Sequence, residues 1–265
     1  MLLYRLGPEG FHAVAENETG ELRLLHCDPL STRPGGFELG RAVDRETAVF
    51  LAPVAPSKIV CVGRNYRAHA EELGNPMPTE PMLFLKPPSS MIGPNAPVIL
   101  PPESAQVDYE GEIAVVVRDR IYRASRETVR TAILGVTCAC DVSARDLQKR
   151  DVQFTRGKGF DTFCPLGPAI RLDADPEDVT VVTRLNGAER QRGHTREMAF
   201  GLIDLLVYIS RIMTLEPGDV VLTGTPAGVG RLADGDVLEV EIPGVGVLRN
   251  PVEARAAEVS AEDDG

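Results

Sequence analysis

The stretch VDYEGEIAVVV, residues 107–117, sets two carboxylates, Glu110 and Glu112, at the mouth of an almost wholly apolar run. Its β-branched residues predict one long strand, running on through Arg118 and Asp119. In such a strand Asp108, Glu110 and Glu112 share a face, with Val107, Tyr109, Gly111, Ile113 and Val115 on the other. Acids in period two are ordinarily a solvated face. Ala114 and Val116 continue the same face, however, so the carboxylates stand where a buried surface begins. Neighbouring buried carboxylates need protons, cationic partners or a metal, because two adjacent like charges cannot both stay ionised cheaply. A second apolar run, ILGVTCACD at 133–141, ends on Asp141, which is either a turn former or a third acid presented to a cleft. Glu110, Glu112 and Asp141, with no Cys or His at ligand spacing nearby, form an all-oxygen set suited to Mg²⁺, Mn²⁺ or Ca²⁺ rather than Zn²⁺. The residues alone leave both readings open, solvated acids or metal ligands.

The surrounding chain bounds the answer. Its 265 residues are 43% hydrophobic and 25% charged, enough to bury a substantial core. A net charge of −11 disfavours nucleic acid or an anionic membrane as partner. It leaves an anionic small molecule open, since a metal ion and a few placed cations reverse the field inside one cleft. The N-terminal run is broken by Arg5, Gly7 and Pro8 before a signal-peptide core can form, and no stretch approaches a membrane span. Five scattered cysteines without a CxxC pair suit a reducing compartment, so the expected location is the cytoplasm. Lysine is scarce, with only Lys58, Lys86, Lys149 and Lys158 present. Where the chain keeps one, arginine is a doubtful substitute.

Short alternating pieces fill residues 1–50, and the proline-marked APVAPSK at 52–58 predicts a boundary. The expected organisation is a small β-rich N-terminal domain, 1–55, followed by a larger domain, 56–258. RNYRAHAEEL predicts a short helix, Ser125 a helix start, and MAFGLIDLLVYISRIM the one long helix. Asn186-Gly187 inside TVVTRLNGAERQRG predicts a hairpin turn. TGTPAGVG, 223–230, lacks both the GK[ST] ending and the G-x-G-x-x-G spacing of nucleotide loops. Strands outnumber helices without regular alternation, which predicts a sheet-dominated α+β fold.

Seven separated motifs resemble, in order, the fumarylacetoacetate hydrolase family: GRNYRAHAEELG (63–74), PMLFLKP (81–87), DYEGEIAVVV (108–117), DVSARDLQ (141–148), GKGFDTFCPLGP (157–168), LNGAERQ (185–191) and GDVVLTGTPAGVG (218–230). The first 50 residues look like the leading domain of bacterial members acting as 2-hydroxyhepta-2,4-diene-1,7-dioate isomerases or acylpyruvate-type hydrolases. The resemblance implies a mixed β-roll, a homodimer, and Mg²⁺ or Mn²⁺ (Ca²⁺ in crystals) held by Glu110, Glu112 and Asp141. It implies catalytic roles for His69, Glu72 and Lys158, and substrate contacts at Arg64, Arg145, Gln148 and Thr225. His69 and Glu72, three apart, share one face of a helical turn, which suits a general acid–base pair, although an ordinary helix surface has the same spacing. The implied activity is isomerisation, with related decarboxylation, of a 2-hydroxy-dienoic or 2-oxo acid through an enolate at the metal, in aromatic-acid degradation. The alternatives are acylpyruvate C–C hydrolysis, oxaloacetate decarboxylation, or a catalytically silent metal-binding homologue.

Overall fold

The computed structural model describes residues 1–7 and 9–255. Residues 256–258, the end of the expected second domain, lie outside them. The fold is dominated by sheet. The largest sheet has twelve strands, and its central path runs Cys164–Arg171, Ile133–Cys140, Gly111–Val117, Val220–Leu222, Ile59–Gly63 and Met82–Lys86. Leu2–Leu6 pairs antiparallel with Cys164–Arg171, placing Leu3 opposite Ile170, so the N-terminal strands extend this same sheet. A five-stranded sheet is built around the hairpin Thr180–Leu185 and Ala188–His194. Its turn residues Asn186 and Gly187 have φ of +54° and +76°, the two positive values that the Asn-Gly pair accommodates cheaply.

Gly111–Val117 is apolar throughout because it is buried on both faces. Ile113, Val115 and Val117 join the cluster containing Val181, Leu238, Val240 and the helix Leu202–Ile212. Ala114 and Val116 join the opposite cluster, with Ile59, Leu134, Val220 and Leu222. The long helix, the short helix Arg67–Glu72, and the helix Arg126–Ala132 with its Ser125 cap all stand where the sequence places them.

One expected strand is divided. Val107–Tyr109 belongs to a small three-stranded sheet with Ser143–Ala144 and Gly230–Arg231, and Gly111–Val117 belongs to the large sheet. Glu110 lies at the seam. The register is nevertheless kept across it, with Gly111 opposite Cys140 and Asp108 opposite Ser143. Cys164–Arg171, a central strand, escapes sequence reading because Pro165, Gly167 and Pro168 resemble loop punctuation.

Gly111 allows the two main sheets to approach, since a Cβ there would lie 1.9 Å from Thr183 Oγ1. We expect Gly111→Ala to lower unfolding free energy by about 1–3 kcal/mol in denaturant titration, as overpacked cores do. Adding Thr183→Ala should restore part of that loss.

Candidate active site

The preserved register puts Glu110 directly opposite Asp141, and the Asp141 N–H donates to the Glu110 carbonyl at 2.8 Å. Opposed residues on paired strands hold their side chains close, and like charges there repel. Glu112, one pleat along, completes the group. One carboxylate oxygen from each of the three residues lies within 4.8 Å of the others, and all three residues are buried.

Cations from three elements converge on this group. Lys158, on the short helix Thr155–Lys158, donates to Glu110 Oε2 at 2.9 Å and Asp141 Oδ2 at 2.6 Å. Lys86, ending the strand Met82–Lys86, donates to Asp141 Oδ1 at 2.7 Å and the Val142 carbonyl at 3.0 Å. Arg145, opening the helix Arg145–Arg150, donates to Asp108 Oδ2 at 2.9 Å, to Gln148 Oε1 at 2.7 Å, and to Glu110. Gly157 lets the Lys158 segment pack closely, because a Cβ there would meet the Gln148 backbone at 3.0 Å.

The electrostatics follow from this arrangement. Burial alone would push the Glu110 carboxyl up, but the Lys158 and Arg145 charges hold it well below the usual carboxylate range. Burial pushes Glu112 well up, and the charges of Asp141 and Glu110 add to the rise. Glu112 accepts a hydrogen bond from Gly224 N–H at 2.6 Å and, among the described residues, has no cationic side chain bonded to it. An all-oxygen set with one carboxylate lacking a cation fits a hard divalent ion, and the three residues can hold one.

His69 and Glu72 face the same space from the helix Arg67–Glu72. His69 Nδ1 lies 3.3 Å from Glu72 Oε2, and the Gly228 N–H donates to Glu72 Oε1 at 3.0 Å. The glycine-rich loop thereby orients the carboxylate that orients the imidazole. Asn65 anchors the start of that segment, donating to the carbonyls of Thr223 and Phe200 at 2.8 and 3.0 Å.

One cavity of about 530 Å³ brings all ten sequence-derived residues to its walls, His69, Glu72, Glu110, Glu112, Asp141 and Lys158 together with Arg64, Arg145, Gln148 and Thr225. Two of the expected substrate contacts, Thr225 and Arg145, are held in place by several protein partners. The Thr225 hydroxyl donates to Gly111 O at 2.9 Å and accepts from Gln191 Nε2 at 2.7 Å, and Arg145 fans across three acceptors. Sequence reasoning gave no site role to Lys86 or Gln191. Lys86 had a signal, a rare lysine ending an apolar strand. Gln191, 1% exposed, joins Gly111 N–H to Thr225 and Pro226, and nothing in AERQRG distinguishes it from a solvated hairpin residue.

A family model described as fumarylacetoacetate (FAA) hydrolase C-terminal matches residues 58–253. An uncharacterized protein of Archaeoglobus fulgidus is 52% identical over 224 residues, 82% of this chain and 90% of its own. Human mitochondrial oxaloacetate tautomerase is 44% identical over 221 residues, 78% of this chain and 70% of the relative. The crystal structure of 2-hydroxyhepta-2,4-diene-1,7-dioate isomerase from Mycobacterium marinum has a TM-score of 0.87 at 40% identity, covering 97% of this chain and 100% of that one.

Two measurements probe the cluster. Added Mg²⁺ or Mn²⁺ should raise the melting temperature of the wild-type protein, as any ligand of the native state does, and Glu112→Gln should lose that rise. Lys86→Met leaves Asp141 one buried partner short, and we expect about 3 kcal/mol lower stability in denaturant unfolding.

Proposed function

Because this chain belongs to the fumarylacetoacetate hydrolase family, we propose that it is a divalent-metal-dependent isomerase of 2-hydroxy-dienoic acids, with 2-hydroxyhepta-2,4-diene-1,7-dioate as the leading substrate. The observation that carries this reading is the shared cavity, which sets a proton-transfer pair, His69 and Glu72, across from three buried carboxylates and Lys158.

Charge supports a 2-oxo acid as the bound species. Four buried carboxylates, Asp108, Glu110, Glu112 and Asp141, face three buried cations, Lys86, Arg145 and Lys158. With all four ionised around a divalent ion the group carries a single positive charge, which a substrate carboxylate cancels. A Mg²⁺ or Mn²⁺ ion held by Glu110, Glu112 and Asp141 supplies Lewis acidity to the oxygens of that acid.

The chain's own groups do the rest. Lys158 spends two of its three N–H bonds on Glu110 and Asp141, leaving one for the substrate oxygen that gains charge in the enolate. The Glu72 contact fixes the His69 tautomer, with the proton on Nδ1 and a free acceptor at Nε2. That imidazole is the group positioned to move the proton. In isomerisation the 2-hydroxyl loses a proton, the carbonyl forms at C2, the remaining double bond shifts, and C5 gains a proton. Val62, Met82, Phe84 and Phe154 line the apolar part of the cavity and keep water from the enolate.

A second reading, keto–enol tautomerisation of oxaloacetate, is favoured by the human relative. It uses the same proton transfer on a shorter diacid.

Ultraviolet absorbance of the wild-type enzyme with Mg²⁺ or Mn²⁺ distinguishes these, on the hydroxy-dienedioate, two acylpyruvates and enol oxaloacetate, with a chelated control. We expect metal-dependent loss of the dienol band with the carbon skeleton intact by NMR. Release of pyruvate with a second acid, or of CO₂, would instead make the protein a C–C bond-cleaving enzyme. His69→Ala should lower the rate by about 10²–10⁴-fold while keeping the metal-dependent rise in melting temperature.

A further inference from the structure

Three of the four lysines are spent on carboxylates: Lys58 on Asp219, Lys86 on Asp141, and Lys158 on Glu110 and Asp141. Lys149 is different. It lines the cavity that holds the acidic triad, yet among the described residues it makes no hydrogen bond or ion pair. The chain has 39 acidic residues against 28 basic ones, so an ammonium left unpaired at a cavity wall does not reflect a shortage of carboxylates. Arg64, held at φ +54°, also lines the cavity and, among the described residues, makes no hydrogen bond or ion pair either. Glu72, the cavity's remaining carboxylate beyond the triad, is occupied by His69 and Gly228. The mouth is therefore locally cationic in a strongly anionic protein, which selects an anion with charge at its outer end.

The helix supplies a ruler. Arg145 and Lys149 are four residues apart on Arg145–Arg150, so they share a face and are offset by about 6 Å along the axis. Arg145 is tied to Glu110 at the triad, and Lys149 stands one turn further away. A seven-carbon diacid, with six bonds between its carboxyl carbons, matches that offset better than a four-carbon diacid with three. We propose that Lys149 receives the remote carboxylate of a dicarboxylate whose 2-oxo end lies at the triad, and so sets the preference for long diacids over monoacids. This rests on the isomerase reading for the placement of the 2-oxo end.

Calorimetric titration of the full chain with Mg²⁺ tests it without turnover. The ligands are 2-oxoheptanedioate, its monoacid counterpart 2-oxoheptanoate, and oxalate, which is too short to leave the triad. Lys149 is exposed, so wild-type protein should bind the dioate about five-fold more tightly than the monoacid, the scale of one exposed charge pair. Lys149→Gln should erase that preference and leave the affinities for oxalate and monoacid unchanged, and Lys149→Arg should keep it. The same preference in Lys149→Gln as in wild type, or an equal loss for all three ligands, overturns the assignment. A wild-type enzyme that prefers the dioate but does not isomerise the dienol overturns the isomerase reading and leaves the role of Lys149 standing.

Discussion

Glu110 and Asp141 face one another across two paired strands, and the structure around them depends on keeping that repulsion in balance. Opposed carboxylates in a buried sheet are unfavourable by themselves. Lys158 bridges them, Lys86 takes the outer oxygen of Asp141, and Arg145 joins Glu110 to Asp108. Each cation comes from a different element, so the strand Met82–Lys86 and the helices Arg145–Arg150 and Thr155–Lys158 are drawn to the same end of the large sheet. Among the described residues Glu112 has no cationic side chain bonded to it, and this asymmetry suits the cluster to a divalent ion rather than to a closed salt-bridge network.

The sheet supplies the rigidity this cluster needs. Gly111–Val117 is packed on both faces, so the acids at its mouth cannot turn towards solvent without disturbing two hydrophobic clusters. The seam at Glu110 lets the paired strands pass from one sheet into another without losing register, and the acids stay at the opening. Gln191 and Thr225 stitch the glycine-rich loop to Gly111, and the same loop holds Glu72 through Gly228. The His69–Glu72 pair and the acidic triad are thus joined through the glycine-rich loop, whose N–H groups at Gly224 and Gly228 donate to Glu112 and Glu72.

Much of this was legible in the chain. The two-sided apolar strand, the Asn186-Gly187 hairpin, the Ser125 cap and the long helix each follow from local patterns with one dominant cause. The pairing of Glu110 with Asp141 was not, because register is a property of two strands and the acids are far apart in sequence. Lys86 was visible only as an oddity, a charge ending an apolar strand. Gln191 gave no signal, since a buried polar residue on a hairpin has the composition of an exposed one until its partners are known. Cys164–Arg171 was hidden by its own prolines and glycine.

By itself the sequence determined a sheet-dominated fold and an oxygen-rich acidic set at the head of a buried strand, because periodicity and residue chemistry are local. Only the tertiary structure decided which acid each cation neutralises and, among the described residues, which acid lacks a cationic partner and which lysine is left unpaired. Those outcomes depend on distances between separate elements, the cations and their acids lying 17 to 55 residues apart in the chain, and no local pattern encodes them.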